Sequence, residues 1–341
     1  MIRRRTFLKL ALATLPRYGF AAQSTQSSTF TGKIVTVTGP IPTAHLGTTL
    51  IHEHILVDFS GYKLYDPGSW DDGQVIKKML PYLEALKEAG CSSMVDCTPN
   101  YLGRDPVLLR RLSKLSGIRI LTNTGYYGGS DQKYLPPHVF SETEDQLAAR
   151  WIQEATGGLD ASGVYPGFIK ISVNPGPLTD VSQKLVAAAG ITHLRTGLTI
   201  ASHTGPAVAA FEQITILAKH AVSPDAFIWV HAQAASADEH VRAARMGAWV
   251  SLDGLSADNI DTYASLLGNL KTNDLLSRTL ISHDAGWYAP DKPNGGTVRG
   301  YTTLFSSLIP RLKALGFTDD DVKQLTVLNP ASAFQVKVRK A

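Results

Sequence analysis

The stretch Leu50-Ile51-His52-Glu53-His54-Ile55-Leu56 sets two histidines two residues apart inside a run of β-favouring apolar residues. Side chains alternate faces along a strand, so His52 and His54 share one face and Glu53 takes the other. Two imidazoles about 7 Å apart along a strand can grip one divalent cation. They can equally be a pair of hydrogen-bonded core histidines. The choice turns on whether further ligands arrive downstream.

Seven more strand-like runs follow: Ser92–Thr98, Ile118–Thr124, Gly167–Val173, Gly197–His203, Ala226–His231, Ala248–Asp253 and Arg278–Asp284. Between most of them apolar residues recur at three and four. Val75, Ile76, Met79, Leu80, Leu83 and Leu86 do so before Gly90, with Pro81 predicting a kink or a late start. Leu108–Leu115, Leu147–Ile152, Phe211–Ala218, Val241–Met246 and Leu266–Leu270 read the same way. Near-continuously apolar strands alternating with helices imply a parallel sheet buried on both faces. Eight units in about 250 residues predict an α/β fold, a (β/α)8 (TIM) barrel forming a single domain. The competing doubly wound sheet carries a Gly-rich phosphate loop after its first strand, and none follows Thr49–Val57. Ahead of the barrel, Lys33–Thr38 reads as a strand and Gly39-Pro40-Ile41-Pro42 as a turn.

The chain has 341 residues, 44% of them hydrophobic and 18% charged, enough for a large core. Its net charge of +4 misleads, because residues 1–22 hold five basic residues and no acid; without them the balance is −1. No Lys/Arg run follows, which argues against a nucleic-acid partner. Arg4-Arg5-Thr6-Phe7-Leu8-Lys9 resembles a twin-arginine export signal, with a short apolar run and small residues at Ala21-Ala22. Residues 1–22 are therefore expected to be a signal peptide, 23–32 a flexible lead-in and 33–341 the barrel, with a periplasmic or secreted location. The leader's apolar run is shorter than the roughly 17–25 residues of a membrane span. Cys91 and Cys97 would lie about 20 Å apart on an extended strand, so both read as buried thiols and not as a disulfide.

Chemistry in such barrels gathers at the C-terminal ends of the strands. Strand one carries His52 and His54, and strand four places Lys170 among apolar neighbours. Strands five, six and eight end in His203, His231 and His283-Asp284. The order H-x-H, Lys, His, His, Asp resembles the amidohydrolase superfamily. The surrounding text, Gly39-Pro40, Gly167-Phe168-Ile169-Lys170, Ala201-Ser202-His203-Thr204, Ile281-Ser282-His283-Asp284 and Leu328-Asn329-Pro330-Ala331, resembles its phosphotriesterase-like family of phosphotriesterases and lactonases.

That resemblance implies a binuclear metal site and an ester hydrolase. His52, His54 and Asp284 would hold the more buried ion, and His203 and His231 the more exposed one. Lys170 would bridge both as N6-carboxylysine, formed with carbon dioxide, since burial beside cations favours the neutral amine. The donor set suits zinc, with manganese or cobalt as alternatives. A metal-bridging hydroxide would be the nucleophile and Asp284 the acceptor of its proton. The alternative for Lys170 is a lysine paired with a carboxylate at the barrel rim.

Two positions depart from the family pattern. Ala234 stands where relatives carry an aspartate three residues after the strand-six histidine, and Gly254 where they carry His or Arg after Leu252-Asp253. Both outer members of the family's proton relay are therefore missing. Tyr127, at the place of a tyrosine in lactonase relatives, points to a lactone or carboxylic ester with weaker phosphotriesterase activity; rim packing is the other reading of Tyr126 and Tyr127. The alternatives are a phosphotriesterase proper and a non-catalytic, metal-stabilised binding protein. The Gly- and Pro-rich segment Ala285–Gly300, with Trp287, Lys292 and Arg299, reads as a lid or specificity loop whose Trp287 meets substrate and whose Arg299 or Lys292 either meets an anionic substrate group or is a solvated loop charge. Asp96 is expected to accept from a ligand histidine or to cap local backbone. His283 should face away from the ions, and His45, His138, His193, His220 and His240 have no ligand spacing. Family analogy also implies a homodimer.

Overall fold

The computed structural model describes residues 29–341. The export signal, its cleavage point and most of the lead-in lie outside them. Two short antiparallel strands open the described chain, β1 (Lys33–Thr36) and β2 (Gly39–Pro42). Gly39–Pro42 is thus the second arm of a hairpin and not a simple turn. Pro40 is tolerated there because no further strand pairs beyond this two-stranded sheet.

The barrel follows: β3 (Thr49–Leu56), β4 (Ser93–Asp96), β5 (Arg119–Leu121), β6 (Asn123–Thr124), β7 (Phe168–Ser172), β8 (Ile200–His203), β9 (Phe227–Val230), β10 (Trp249–Leu252), β11 (Thr279–Ile281) and β12 (Gly286–Tyr288). All neighbours pair in parallel, in the orders β11-β10-β9-β8-β7-β6 and β12-β3-β4-β5. β5 and β6 are one barrel strand interrupted at Thr122, and β11 and β12 are one interrupted over Ser282–Ala285. With those interruptions bridged, eight parallel strands close a (β/α)8 barrel.

Helices α1 (Asp72–Glu88), α2 (Pro106–Ser116), the single turn α3 (His138–Ser141), α4 (Glu144–Gly157), α5 (Asp180–Thr196), α6 (Ala207–Lys219), α7 (Ala237–Arg245) and α8 (Ile260–Thr272) alternate with the strands. α1 runs unbroken through Pro81 from an N-cap at Asp71, so no late start occurs. α5 has no counterpart in the periodic segments above. It is buried almost all round, including Val186–Gly190, because it sits between α4 and α6, so it carries no polar face to mark a 3.6-residue period. No helix of the described residues is long and apolar enough to cross a membrane.

The barrel floor takes one apolar side chain from each strand: Ile51, Val95, Leu121, Phe168, Ala201, Ile228, Trp249 and Leu280. Below it, Ile34 of the hairpin, Leu46 and Phe334 of the C-terminal helical turn Asn329–Phe334 plug the N-terminal end. A register shift between Leu50 and Glu53 lets Ile51 join that floor while His52 and His54 still point into the barrel above it. The floor is what forces the polar residues of the next layer upward, towards the open end. Phe168 is fully buried and edge-on to Phe334 at 5.5 Å. Phe168→Ala should cost about 3–5 kcal/mol, read as a lowered denaturant midpoint; a loss below 1 kcal/mol would mean the floor repacks freely.

Candidate metal centre and active site

Above the floor lies a pocket of about 120 Å³ that includes His52, His54, Lys170, His203, His231 and Asp284 in its walls. These are the six residues singled out at the strand ends. His54 Nε2 lies 3.0 Å and His52 Nε2 3.6 Å from Asp284 Oδ1, and Lys170 Nζ is 3.5 Å from His52 Nε2. On the outer side, His203 Nδ1 and His231 Nε2 are 2.8 Å apart. The atoms of His52, His54 and Asp284 are close enough to share one ion. Two donor clusters thus meet around a central lysine.

The nitrogens not facing the pocket are each committed. His52 Nδ1 donates to Asp253 Oδ2 at 3.1 Å, and His231 Nδ1 to Asp253 Oδ1 at 2.7 Å. Asp253 is fully buried and also accepts from the Ser251 hydroxyl at 2.6 Å. His54 Nδ1 pairs with Thr98 Oγ1 at 2.7 Å, and His203 Nε2 with the Tyr127 hydroxyl at 3.2 Å. Such partners fix tautomer and ring orientation, leaving the opposite nitrogen's lone pair for a metal. Asp253 could itself close on an ion with His52 and His231, but its oxygens already hold both Nδ1 protons. It braces one histidine of each cluster.

The electrostatics favour the ligating forms at most of the donors; at His231, burial lowers the imidazole but Asp253 outweighs it and raises it above the ordinary histidine value, so that ring must give up a proton to bind an ion. Burial, reinforced by Lys170, pushes the His52 imidazole down to about 4. Burial and then His231 lower His203 well below the ordinary histidine value. Burial alone would raise Asp284, but His52 and His54 outweigh it and hold the carboxyl below the usual carboxylate range. Burial opposes the charge on Asp253 too, and His231 and His52 overcome it. Neutral imidazoles and ionised carboxylates are what a divalent ion requires. Lys170 is buried, and among the described residues no carboxylate lies within ion-pair distance of its amine. The rim-paired alternative for Lys170 is not what the structure contains. In donor chemistry and convergence the set fits two divalent ions.

The remaining sequence expectations divide. Tyr127 and Trp287 line the pocket; Trp287 stands edge-on to His54 at 6.0 Å and to Phe59 at 5.8 Å. Tyr126 turns away, pairing with His138 at 3.2 Å and packing on Trp151. Arg299 does not reach the pocket: its guanidinium donates to the carbonyls of His283 and Asp284. Lys292 pairs with Asp291 at the surface. The segment after Asp284 is not a free lid, since Gly286–Tyr288 completes the barrel against β3. Gly286 is required there, because a Cβ at its φ of 96° would collide with the His54 carbonyl oxygen. Asp96 meets no ligand histidine; its oxygens accept from the backbone N–H groups of Ile55 and Thr98, and burial raises it to about 6. Thr98, two residues on, makes the contact expected of Asp96. His283 does face away, donating to Glu53 from Nδ1 at 2.7 Å.

The sequence profile of the Phosphotriesterase family matches residues 32–334. The chain belongs to the phosphotriesterase family. It is 28% identical over 294 residues to a phosphotriesterase homology protein of Escherichia coli, covering 85% of this chain and 98% of that protein. It is 24% identical over 306 residues to an aryldialkylphosphatase of Saccharolobus solfataricus, covering 86% and 96%. With an N-acetyltaurine hydrolase of Xenopus tropicalis the identity is 23% over 346 residues, covering 89% and 98%. These relatives are hydrolases, and a hydrolase is what this family member is.

Position 254 has little free space beside it, whereas nothing in the structure explains Ala234. Gln233 accepts from the Asp253 N–H at 3.2 Å and Tyr263 from the Gly254 N–H at 2.6 Å. A Cβ on Gly254 would lie 2.7 Å from Gln233 Nε2 and 2.9 Å from the Tyr263 hydroxyl. Gly254→His should therefore destabilise by about 1–3 kcal/mol through overpacking without raising turnover. Stability at the parent level, or a gain in rate, would show that the space is open to a relay residue.

Proposed function

We propose that this chain hydrolyses a neutral lactone or carboxylic ester at a binuclear metal centre. His52, His54 and Asp284 would hold the inner ion, His203 and His231 the outer one, and Lys170, carboxylated by carbon dioxide, would join them. When bound, the two ions, zinc first and manganese or cobalt in the same donor set, would activate water and polarise the substrate's oxygen. Asp284 Oδ1 faces the two histidine nitrogens, and its second oxygen takes the proton. The Asp284 side chain keeps 21% of its surface exposed, so that proton passes to pocket water without the relay missing at Ala234 and Gly254.

The observation that carries the substrate reading is the pocket wall. Beyond the metal donors it is Val57, Phe59, Cys97, Leu102, Tyr127, Ser130, Tyr134 and Trp287. The nearby cations are engaged elsewhere: Lys133 donates to the Phe59 carbonyl at 2.7 Å, and Arg299 to the carbonyls of His283 and Asp284. An anionic group would meet apolar and aromatic surface, whereas a neutral ester would lose little on desolvation. Tyr127, braced on the His203 ring, can direct its hydroxyl at the substrate's oxygen. The relatives named for phosphotriester and N-acetyltaurine hydrolysis supply the competing substrate classes.

Lactones, aryl esters, phosphotriesters and N-acetyltaurine, assayed on metal-reconstituted protein, separate these readings. The highest kcat/KM should fall on a neutral lactone or carboxylic ester. A preference for phosphotriesters would establish the runner-up, and N-acetyltaurine as best substrate would refute the neutral-substrate argument. Lys170→Ala should lose metal and activity, with partial recovery on adding short carboxylates. Unaided activity in that variant would remove the bridging role.

A further inference from the structure

Asp284 is a non-glycine residue with a φ of 52°, in the interruption between β11 and β12. Left-handed backbone at such a residue is unfavourable and persists only where its surroundings fix it. Here they do so completely. Glu53 Oε1 accepts from the Ser282 hydroxyl at 2.7 Å, from His283 N–H at 3.0 Å and from His283 Nδ1 at 2.7 Å. Glu53 Oε2 accepts from Ala285 N–H at 2.8 Å. The Asp284 N–H itself donates to the His52 carbonyl at 3.0 Å. From the other side, the Arg299 guanidinium donates to the carbonyls of His283 and Asp284.

Glu53 is fully buried and is not in the pocket wall, so it contributes neither a ligand nor a substrate contact. Arg299 is exposed and also stays outside the pocket wall, its guanidinium 5.5 Å above the Trp287 ring. Together they hold the peptide units flanking Asp284 by charge-assisted hydrogen bonds, the strong kind. We infer that Glu53 and Arg299 are positioning residues that clamp the backbone of Asp284 so that its carboxylate meets the metal site in one orientation. The inference rests on the assignment of Asp284 as inner-ion ligand and proton acceptor.

The test uses the full metal-reconstituted protein with Glu53→Gln, which keeps shape but turns an acceptor into a donor, and Arg299→Ala, an exposed change that should fold. Both should lower kcat roughly 10–100-fold with KM nearly unchanged, and weaken the inner ion to a similar degree in chelator competition. In an Asp284→Asn background, either substitution should cost no more than about threefold further, because residues acting as one unit are not additive. Wild-type kcat and inner-ion affinity in both variants would overturn the clamp. So would a lowered Tm with unchanged kcat per metal-loaded molecule, or losses that add fully to that of Asp284→Asn. Chelator competition needs no substrate, so it tests the clamp even if the ester reading fails. Failure of the wild-type protein to bind metal would instead defeat the assignment beneath it.

Discussion

Closure of the barrel between its first and last strands is the constraint on which the site depends. β3 and the interrupted eighth strand meet where His52, His54 and Asp284 must converge. That seam is sewn from both faces. His52 and His54 point inwards and offer nitrogen, while Glu53 between them points outwards and takes four hydrogen bonds from Ser282, His283 and Ala285. A carboxylate buried without donors would cost several kcal/mol; here each donor it gathers belongs to the segment that carries Asp284. One three-residue motif thus carries two candidate metal donors and holds the segment that bears a third.

A second carboxylate does the corresponding work across the barrel. Asp253 accepts from His52 on the first strand and His231 on the sixth, so the two donor clusters share a rigid brace. The side chains that close the space behind it, Gln233 and Tyr263, occupy the volume that a larger residue at position 254 would need. The glycine at 254 and the tight packing behind Asp253 therefore go together.

The strand rhythm and the six candidate metal donors were legible in the sequence because each follows from a local rule: apolar runs mark strands buried on both faces, and metal-ligating residue types recur in or just after those runs. Glu53 was correctly placed away from the ions by alternation, but its role depends on residues some 230 positions later, which no local pattern reveals. Asp253 and Thr98 were missed as histidine partners for the same reason. A long Gly- and Pro-rich loop at the active end of the barrel suggests a substrate contact for Arg299; the backbone carbonyls that capture it carry no sequence signal. α5 escaped because a helix buried on nearly every side has no period to detect. The signal segment falls outside the described residues and stays an expectation from Arg4–Lys9, the apolar run after it and Ala21-Ala22.

The chemistry of the site turns on the proposed role of Lys170 as the group that joins two ions at the ends of the barrel strands. Its most direct test is a metal count on protein reconstituted in 13C-labelled bicarbonate, read together with the 13C spectrum of the same sample. The account predicts two divalent ions per chain and one protein-bound carbamate resonance that is absent when Lys170 is replaced by alanine. One ion or fewer per chain, or two ions with no carbamate signal, would contradict it.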